Sequence, residues 1–326
     1  MKTSKVKKEG YTYLNLAAVI ACLAVIAVIL LAVFSGNLFS GDEEPSQPTV
    51  SEDGTTSEES VPGVETSEDI SLPPEREYAE ITMRFDEVSS GDLILVSNVY
   101  NYDHPSPESL VSIFENKTSS YKCGDTQGVA EKRALDAFNS MMDDFYSAVN
   151  SDAVTVLYGY LTPEEVDDRY HSSSDPAHTP QAGGSDFQTG LSFSLTVYPQ
   201  SEGSLGDGKF AYLEENAHRF GFVLRYPEGK TDVTGNSASS GHYRYVGIPA
   251  ASYIKQQNIC LEEFLDEVRG HTVESPLSWS CESGSYQAYF CKSVLVDDTV
   301  IRVPAGAEYT VSGNNIDGFV VIVNIG

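Results

Sequence analysis

The sequence predicts an α+β fold, followed by a β-rich C-terminal extension. Residues 129–150 carry apolar side chains at three- and four-residue spacing, which is typical of one face of a helix. Residues 153–158 are apolar and rich in β-branched side chains, which favours a buried strand. Toward the C terminus, short apolar segments alternate with turn residues, which indicates several short strands.

The remaining elements of this domain follow from apolar spacing and from turn residues. Pro163 suits the first position of a helix, and Gly221 and Gly270 suit positions just beyond helix ends. The predicted elements are a strand at 93–96, a helix from Pro163, a loop at 170–184, a helix at 208–220, strands at 222–225 and 242–247, and a helix at 250–269.

The predicted β-rich extension, residues 271–326, follows the last of these helices. Its strands are expected at 277–281, 286–291, 299–303, 309–312 and 319–324, with Gly, Pro, Ser or Asn between them. Two roles stay open for it. It covers a flank of the preceding domain, or it is a separate binding module.

The charge of the chain excludes one class of partner. Asp and Glu number 48 and Lys and Arg only 20, so the formal net charge is −28. Nucleic-acid binding depends on Lys and Arg that neutralise phosphates. We therefore expect no nucleic-acid partner, and we interpret the acidity as surface solvation.

The N terminus predicts a single membrane anchor. Four lysines, at positions 2, 5, 7 and 8, precede an uncharged stretch in which residues 16–34 are all apolar. A helix rising 1.5 Å per residue over that length spans roughly the ~30 Å hydrocarbon core. The lysines favour a cytoplasmic N terminus. We therefore expect a cytoplasmic tail at 1–15, a transmembrane anchor at 16–36 and an extracytoplasmic domain.

A cleaved signal peptide and a lipoprotein are two other interpretations of this segment. A cleaved signal peptide has a shorter apolar core, of about 7–15 residues, and a small-residue cleavage site. The sequence around Cys22 also resembles a lipoprotein cleavage site, but 12 more apolar residues follow that cysteine. An uncleaved anchor fits the segment best.

Residues 37–77 predict a disordered acidic linker. Residues 42–69 hold ten acids and no base, with Ser, Thr, Pro and Gly between them. Such a segment cannot bury a core, and its charges repel one another. We interpret the linker as a spacer that holds the folded domain away from the membrane.

The cysteines of the folded part give no metal motif. Cys123, Cys260, Cys281 and Cys291 are widely spaced, and no C-x-x-C pair occurs. An extracytoplasmic location permits disulfides, but the sequence does not assign a pairing. A cysteine zinc site is not expected.

Ser185, Gly190 and the run from His242 to Tyr245 lie in a stretch from residue 185 to residue 247. This stretch resembles the VanY-type D-alanyl-D-alanine carboxypeptidases, zinc peptidases that trim bacterial wall peptides. Its zinc motif, S-x-H-x-x-G-x-A-x-D, aligns without gaps over residues 185–194, and a Gly-Tyr pair precedes the position of a substrate-binding arginine. The residues that match are Gly159, Tyr160, Ser185, Gly190, Asn216, Gly221, Arg225, Tyr226, His242, Tyr243, Arg244 and Tyr245. The resemblance implies a small antiparallel sheet flanked by helices, in a carboxypeptidase-like domain at 78–270.

The resemblance also implies a set of chemical groups, most of which this chain lacks. The family's zinc ligands fall on Phe187, Ser194 and His242, so only the histidine is retained. The general base falls on Ser239 and the arginine that binds the substrate carboxylate on Leu161. A zinc peptidase needs ligands that hold the ion and a carboxylate that takes a proton from its bound water.

We therefore predict a membrane-anchored pseudoenzyme with no catalytic residue and no bound metal, which binds wall peptide or an extracytoplasmic protein. Ser185, His242 and Leu161 are its candidate groove residues. The alternative is an active zinc D,D-carboxypeptidase that trims D-Ala with rearranged ligands, for which His171, Asp175 and His178 of the predicted loop are available. A third hypothesis is a structural surface protein whose extension binds another protein.

Overall fold

The structure, a computed structural model, describes residues 77–104, 107 and 109–326. The predicted cytoplasmic tail, membrane anchor and almost all of the acidic linker lie outside these residues. Among the residues it describes, no helix is both long and apolar enough to cross a membrane. The described residues belong to one compact unit.

The described part contains helices interspersed with strands, followed by five consecutive strands. The strands are β1 (Tyr78–Met83), β2 (Leu110–Ser112), β3 (Lys122–Cys123), β4 (Val129–Glu131), β5 (Val154–Tyr158), β6 (Ser192–Val197), β7 (Phe222–Tyr226), β8 (Ser239–Tyr245), β9 (Leu277–Cys281), β10 (Gly284–Lys292), β11 (Thr299–Pro304), β12 (Tyr309–Gly313) and β13 (Gly318–Asn324). The α-helices are α1 (Ile113–Asn116), α2 (Lys132–Val149), α3 (Pro163–Ser172), α4 (Ala211–Asn216), α5 (Thr231–Thr234), α6 (Ile248–Gln257) and α7 (Leu261–Val268).

A five-stranded sheet, in the order β3-β5-β6-β8-β7, forms the centre of the carboxypeptidase-like part. It is antiparallel except for the short parallel pair of β3 and β5. Helix α2 packs on one face, where Phe138 stacks on Phe193 of β6 with ring centroids 4.3 Å apart. Successive side chains of a strand point to opposite faces, so the neighbours of Phe193 lie on the other face.

The β-rich extension forms a four-stranded antiparallel sheet in the order β12-β13-β10-β9. The side chains of β13 alternate between two cores. Val320 and Ile322 pack with residues of α6 and α7, whereas Phe319 and Val321 pack with residues of β11 and β1. Both faces of this sheet are therefore covered, and the predicted α+β fold with its β-rich extension is confirmed.

The core beneath α6 and α7 is shared between the extension and the preceding part of the chain. Trp279 of β9 lies edge-on to Tyr253 of α6, with ring centroids 5.2 Å apart. Leu93 and Val223 belong to the same cluster. In addition, β1 at the start of the domain pairs with β11 of the extension. Independent folding of residues 271–326 thus stays a prediction, and the shared core argues against it.

The predicted strand at 93–96 is wrong in its hydrogen bonding. Leu93, Ile94, Leu95 and Val96 are all buried, but no strand pairs with them. The Leu95 N–H donates to the Asn314 carbonyl, and the Arg244 guanidinium donates to the Ile94 carbonyl at 3.2 Å. An apolar run indicates burial, whereas a strand also requires backbone hydrogen bonds to a neighbouring strand.

Three predicted helices differ from the observed ones at their ends or interiors. The first three residues of 129–150 form β4, and α2 begins at Lys132. The helix at 208–220 is divided into a 3₁₀ turn, α4 and a second 3₁₀ turn. The helix at 250–269 is interrupted by Asn258, whose φ of 54° is left-handed and ends α6. The predicted loop at 170–184 starts too early, since α3 continues to Ser172.

We expect truncation of Trp279 to destabilise the whole described unit. Trp279→Ala removes a side chain that is 8% exposed and packed on Tyr253, and a large-to-small change in a core costs about 3–5 kcal/mol. Urea unfolding followed by circular dichroism should show a single transition at lower urea.

Leu295→Ala is the matched control, because Leu295 lies in the same extension but is 74% exposed. It should change stability by less than about 0.5 kcal/mol. A Trp279→Ala protein that loses only a small separate transition, with the main one unchanged, would show that the extension folds on its own.

Candidate functional site

A groove of 510 Å³ opens on the face of the five-stranded sheet that α2 does not cover. Its floor includes Tyr226 of β7 and His242 of β8, and one wall is formed by α3. The opposite side is lined by residues just before β8, and by a 3₁₀ turn at Pro176–His178. The sheet therefore holds the floor rigidly, while turns and one helix supply the walls.

Strand register places two of the family's ligand positions side by side. Ser194 of β6 lies directly opposite His242 of β8, and Tyr158 of β5 lies opposite Ser194 on its other edge. Paired residues project from the same face of a sheet. The structure therefore brings Ser194 next to the groove and His242 into it, on the face away from Phe193.

Phe187 occupies the third ligand position, in the 3₁₀ turn Asp186–Thr189. This turn ends at Gly190, whose φ is 71° and whose missing Cβ would lie 2.8 Å from Leu110. The Phe187 ring stacks on the His242 ring with centroids 4.1 Å apart and planes inclined by 22°. Phe187 also packs against Leu161 and Val166. A phenyl ring therefore covers one face of the retained histidine.

The other predicted groove residues are also found at this site. Leu161 is 3% exposed and belongs to the apolar wall, and Ser185 is 3% exposed at the start of the 3₁₀ turn. Ser239 lies at the first position of β8 and lines the groove. The sequence positions that the resemblance identified therefore converge on one groove, although their side chains lack the family's chemistry.

The donors present do not fit a zinc ion. Of the three ligand positions only His242 offers a metal-binding atom, because Phe187 has none and the neutral Ser194 hydroxyl is a poor ligand. Across the described ranges, no three His, Cys, Asp or Glu side chains are grouped so that they could hold a metal. These residues therefore do not supply a zinc site.

The three residues predicted as replacement ligands are engaged in other contacts. Asp175 accepts a hydrogen bond from Ser237 at 2.9 Å, and His178 Nδ1 lies 3.1 Å from the same carboxylate. These two contacts join the 3₁₀ turn to the residues before β8. His171 lies in α3 rather than in the loop, and its Nδ1 is 2.9 Å from the Asp167 carbonyl oxygen of the same helix.

Beneath the groove, one carboxylate lies among three basic side chains. Asp186 is fully buried, and its Oδ1 is 3.0 Å from His242 Nε2. Its Oδ2 is 3.3 Å from Arg225 Nε and 3.7 Å from Arg244 Nη1. Neither oxygen is aligned for a hydrogen bond with these groups. Asp186 is therefore held mainly by charge.

Two further contacts complete this charged cluster. Arg225 donates two hydrogen bonds to Glu262 of α7, at 2.9 and 2.8 Å. Arg244 donates to the carbonyls of Asp92 and Ile94. The cluster thus ties the 3₁₀ turn, β7, β8, α7 and the buried segment at 93–96 together.

The charges around Asp186 decide its ionisation. Burial by itself would raise the pKa of Asp186, but His242, Arg225 and Arg244 together outweigh it and hold that pKa well below its usual value. Burial also raises the pKa of the Tyr226 hydroxyl, and the nearby Asp186 charge adds to this. Asp186 is therefore an anion throughout the ordinary pH range.

We expect Asp186→Asn to destabilise the protein by about 3–5 kcal/mol at pH 7, because the buried arginines lose their shared counter-charge. A carboxylate with a lowered folded pKa stabilises above its unfolded pKa of about 3.9, and that contribution is lost as the pH falls further. The difference in unfolding free energy between wild type and Asp186→Asn should therefore be constant above about pH 5 and shrink in stronger acid.

Urea unfolding at several pH values measures this difference. Asp152→Asn removes the same charge from a half-exposed pair with Lys122 and should change stability by less than about 1 kcal/mol. Two results would contradict the interpretation of Asp186 as a stabilising buried anion. One is a stability difference between wild type and Asp186→Asn that widens on acidification, and the other is an Asp186→Asn protein as stable as wild type.

Sequence reasoning missed three residues of this site. Asp186 directly precedes Phe187, and its burial was not anticipated because a lone acid in a motif is ordinarily exposed. Tyr158 ends the predicted strand, and Arg169 lies on the helix predicted from Pro163. Arg169 follows the buried Val166 by three residues, and this spacing was the available indication that both face the groove.

Comparison with known proteins agrees with the fold. A family model described as D-alanyl-D-alanine carboxypeptidase, VanY, matches residues 162–248. A D-alanyl-D-alanine carboxypeptidase of Enterococcus faecium is 30% identical over 247 residues, which is 75% of this chain and 78% of that protein. Another, from Enterococcus faecalis, is 34% identical over 141 residues, or 38% of this chain and 53% of the relative.

Among solved structures, the vancomycin resistance D,D-dipeptidase VanXYg, in complex with a D-Ala-D-Ala phosphinate analog, superimposes with a TM-score of 0.66. The match covers 76% of this chain and 99% of that one at 21% identity, and it supports the fold. The extent of the likeness to the Enterococcus faecium protein, and the convergence of the motif positions on one groove, show that this chain belongs to the VanY-type D-alanyl-D-alanine carboxypeptidase family.

Proposed function

We propose that this protein is a non-hydrolysing member of its family that binds cell-wall peptide in the groove, outside the membrane. The groove is lined by the family's motif positions Phe187, Ser239 and His242. Hydrolysis by the family's mechanism needs a metal, a general base and a substrate-binding arginine. Ser239 cannot accept the proton as a carboxylate does, and Leu161 cannot bind a carboxylate.

The contact between Phe187 and His242 carries this proposal. The two rings are stacked 4.1 Å apart, and Tyr226 lies edge-on to His242 at 4.8 Å. Tyr158 in turn lies edge-on to Phe187 at 4.9 Å. The four rings form a packed aromatic row at the position of a metal centre. Such a row provides a surface that binds apolar groups, whereas a metal ion would provide an electrophile.

The groove also offers polar atoms to a peptide. The Tyr226 hydroxyl and the Asn236 side-chain oxygen are buried in its lining without a hydrogen-bond partner among the described residues. Unpaired buried polar groups in a native structure mark places where water or a ligand completes the hydrogen bonding. A peptide with small apolar side chains, such as one ending in D-Ala, matches this combination of rings and polar atoms.

We expect the full-length chain, purified without chelator, to contain close to zero equivalents of zinc and to release no D-Ala from a wall pentapeptide. The physical reason is that one imidazole does not supply the ligand set of a zinc site. Metal analysis and amino-acid analysis of the reaction mixture measure the two quantities. Isothermal titration calorimetry should nevertheless detect binding of the pentapeptide.

The double variant Phe187→His, Ser194→Asp is the positive control for the metal analysis. It restores the family's ligand types at both positions, and Ser194 is already paired with His242. This variant should gain about one zinc, with no recovery of D-Ala release because Ser239 remains. One zinc per wild-type chain, with D-Ala release that EDTA stops, would refute the proposal and favour an active enzyme with rearranged ligands.

We also propose that residues 16–36 anchor the protein in the membrane with its groove on the extracytoplasmic side. The support is the uncharged apolar segment and the lysines that precede it. We expect the full-length chain to remain in bacterial membranes after alkaline carbonate washing, whereas a chain lacking residues 1–41 should be soluble. Recovery of the intact chain in the soluble fraction would contradict the anchor.

A further inference from the structure

The groove contains one arginine, Arg169, on the wall formed by α3. Val166 and Arg169 are three residues apart, so they share one helix face. Val166 is buried against Leu161 and Phe187, whereas Arg169 is exposed at the groove. The Arg169 guanidinium carbon lies 3.9 Å from the centroid of the Tyr158 ring. The helix therefore presents a cation at the end of the aromatic row.

Arg169 differs from the other arginines of the described residues in having no carboxylate partner there. Each of the others lies at ion-pair distance from an acidic side chain; they are Arg84, Arg133, Arg219, Arg225, Arg244, Arg269 and Arg302. The protein carries a net charge of −28, so acidic partners are abundant. An arginine left without one, in a groove, is available to an external anion.

The local structure of α3 explains why its four acids do not neutralise Arg169. Glu165, one turn earlier on the helix, accepts a hydrogen bond from the Thr162 N–H at 2.8 Å and so completes the helix cap. Asp167 lies beside His171, with its carboxylate 3.5 Å from Nδ1. Glu164 and Asp168 are five residues and one residue away from Arg169, which are not spacings at which side chains of a helix face each other.

The Tyr158 ring also orients the guanidinium. Stacking on a ring restrains the guanidinium plane and leaves its N–H groups at the edge free to donate. A guanidinium held in this way can donate two parallel hydrogen bonds to a carboxylate. Leu161, where the family resemblance places the arginine for this purpose, lies in the same groove lining as Arg169.

We propose that Arg169 binds the terminal carboxylate of the peptide that occupies the groove, in place of the arginine missing at Leu161. This inference rests on the proposed function and adds a residue and a ligand group to it. The ligand class is a short peptide with a free C-terminal carboxylate, whose small side chains contact the aromatic row.

The test is isothermal titration calorimetry of the full-length chain with acetyl-L-Lys-D-Ala-D-Ala and with its C-terminal amide. Wild type should bind the acid about 10- to 100-fold more tightly than the amide, as expected for a charge-assisted hydrogen-bonded pair. Arg169→Gln should weaken binding of the acid by a similar factor and leave binding of the amide unchanged. Arg169→Lys should bind the acid with intermediate affinity, because lysine keeps the charge but cannot donate two parallel hydrogen bonds to the carboxylate.

Arg84→Gln is the matched control, since it removes the same charge from an exposed arginine that pairs with Asp86 outside the groove. It should bind both peptides as wild type does. Arg169 is exposed, so Arg169→Gln should unfold at the wild-type temperature, which separates lost binding from lost folding.

Two outcomes overturn the proposal in distinguishable ways. If Arg169→Gln keeps the wild-type preference for the acid, another group binds the carboxylate, and this inference fails while peptide binding stands. If wild type binds neither the acid nor the amide, the proposed binding of wall peptide fails, and this inference fails with it.

Discussion

The burial of one carboxylate among basic side chains holds this site together. Asp186 has no contact with solvent, yet it remains ionised because Arg225, Arg244 and His242 surround it. Taking such charges out of water is costly, so each is tolerated only while its partners are in place. The 3₁₀ turn that carries Phe187 is therefore fixed to the sheet by charge. This also fixes the position of the aromatic row to which Phe187 belongs.

The same cluster connects the groove to distant parts of the chain. Arg225 reaches Glu262 of α7, and Arg244 reaches the carbonyls of the segment at 93–96. Helix α7 in turn packs on the β-rich extension. The cluster therefore positions the floor of the groove. The proposed binding role needs such a defined surface and no reactive metal.

Much of the fold and part of the site could be predicted from the sequence. Apolar spacing located α2, β5 and the strands of the extension because burial on one face leaves a periodic pattern. The family motif located His242, Ser239 and Phe187. The pairing of β1 with β11 and the unpaired segment at 93–96 were not predictable, because both depend on which distant residues supply hydrogen bonds. Arg169 was missed since its availability depends on Glu165 being used in a helix cap.

The six-residue ladder between β1 and β11 has a mechanical consequence. If the N-terminal segment tethers the protein, tension on the tether first reaches β1. The force then acts along a strand whose hydrogen bonds run perpendicular to it, so the bonds of the ladder share the load. Since β11 packs on the four-stranded sheet through Ile301 and Val303, that part of the folded unit would be the first to bear the load.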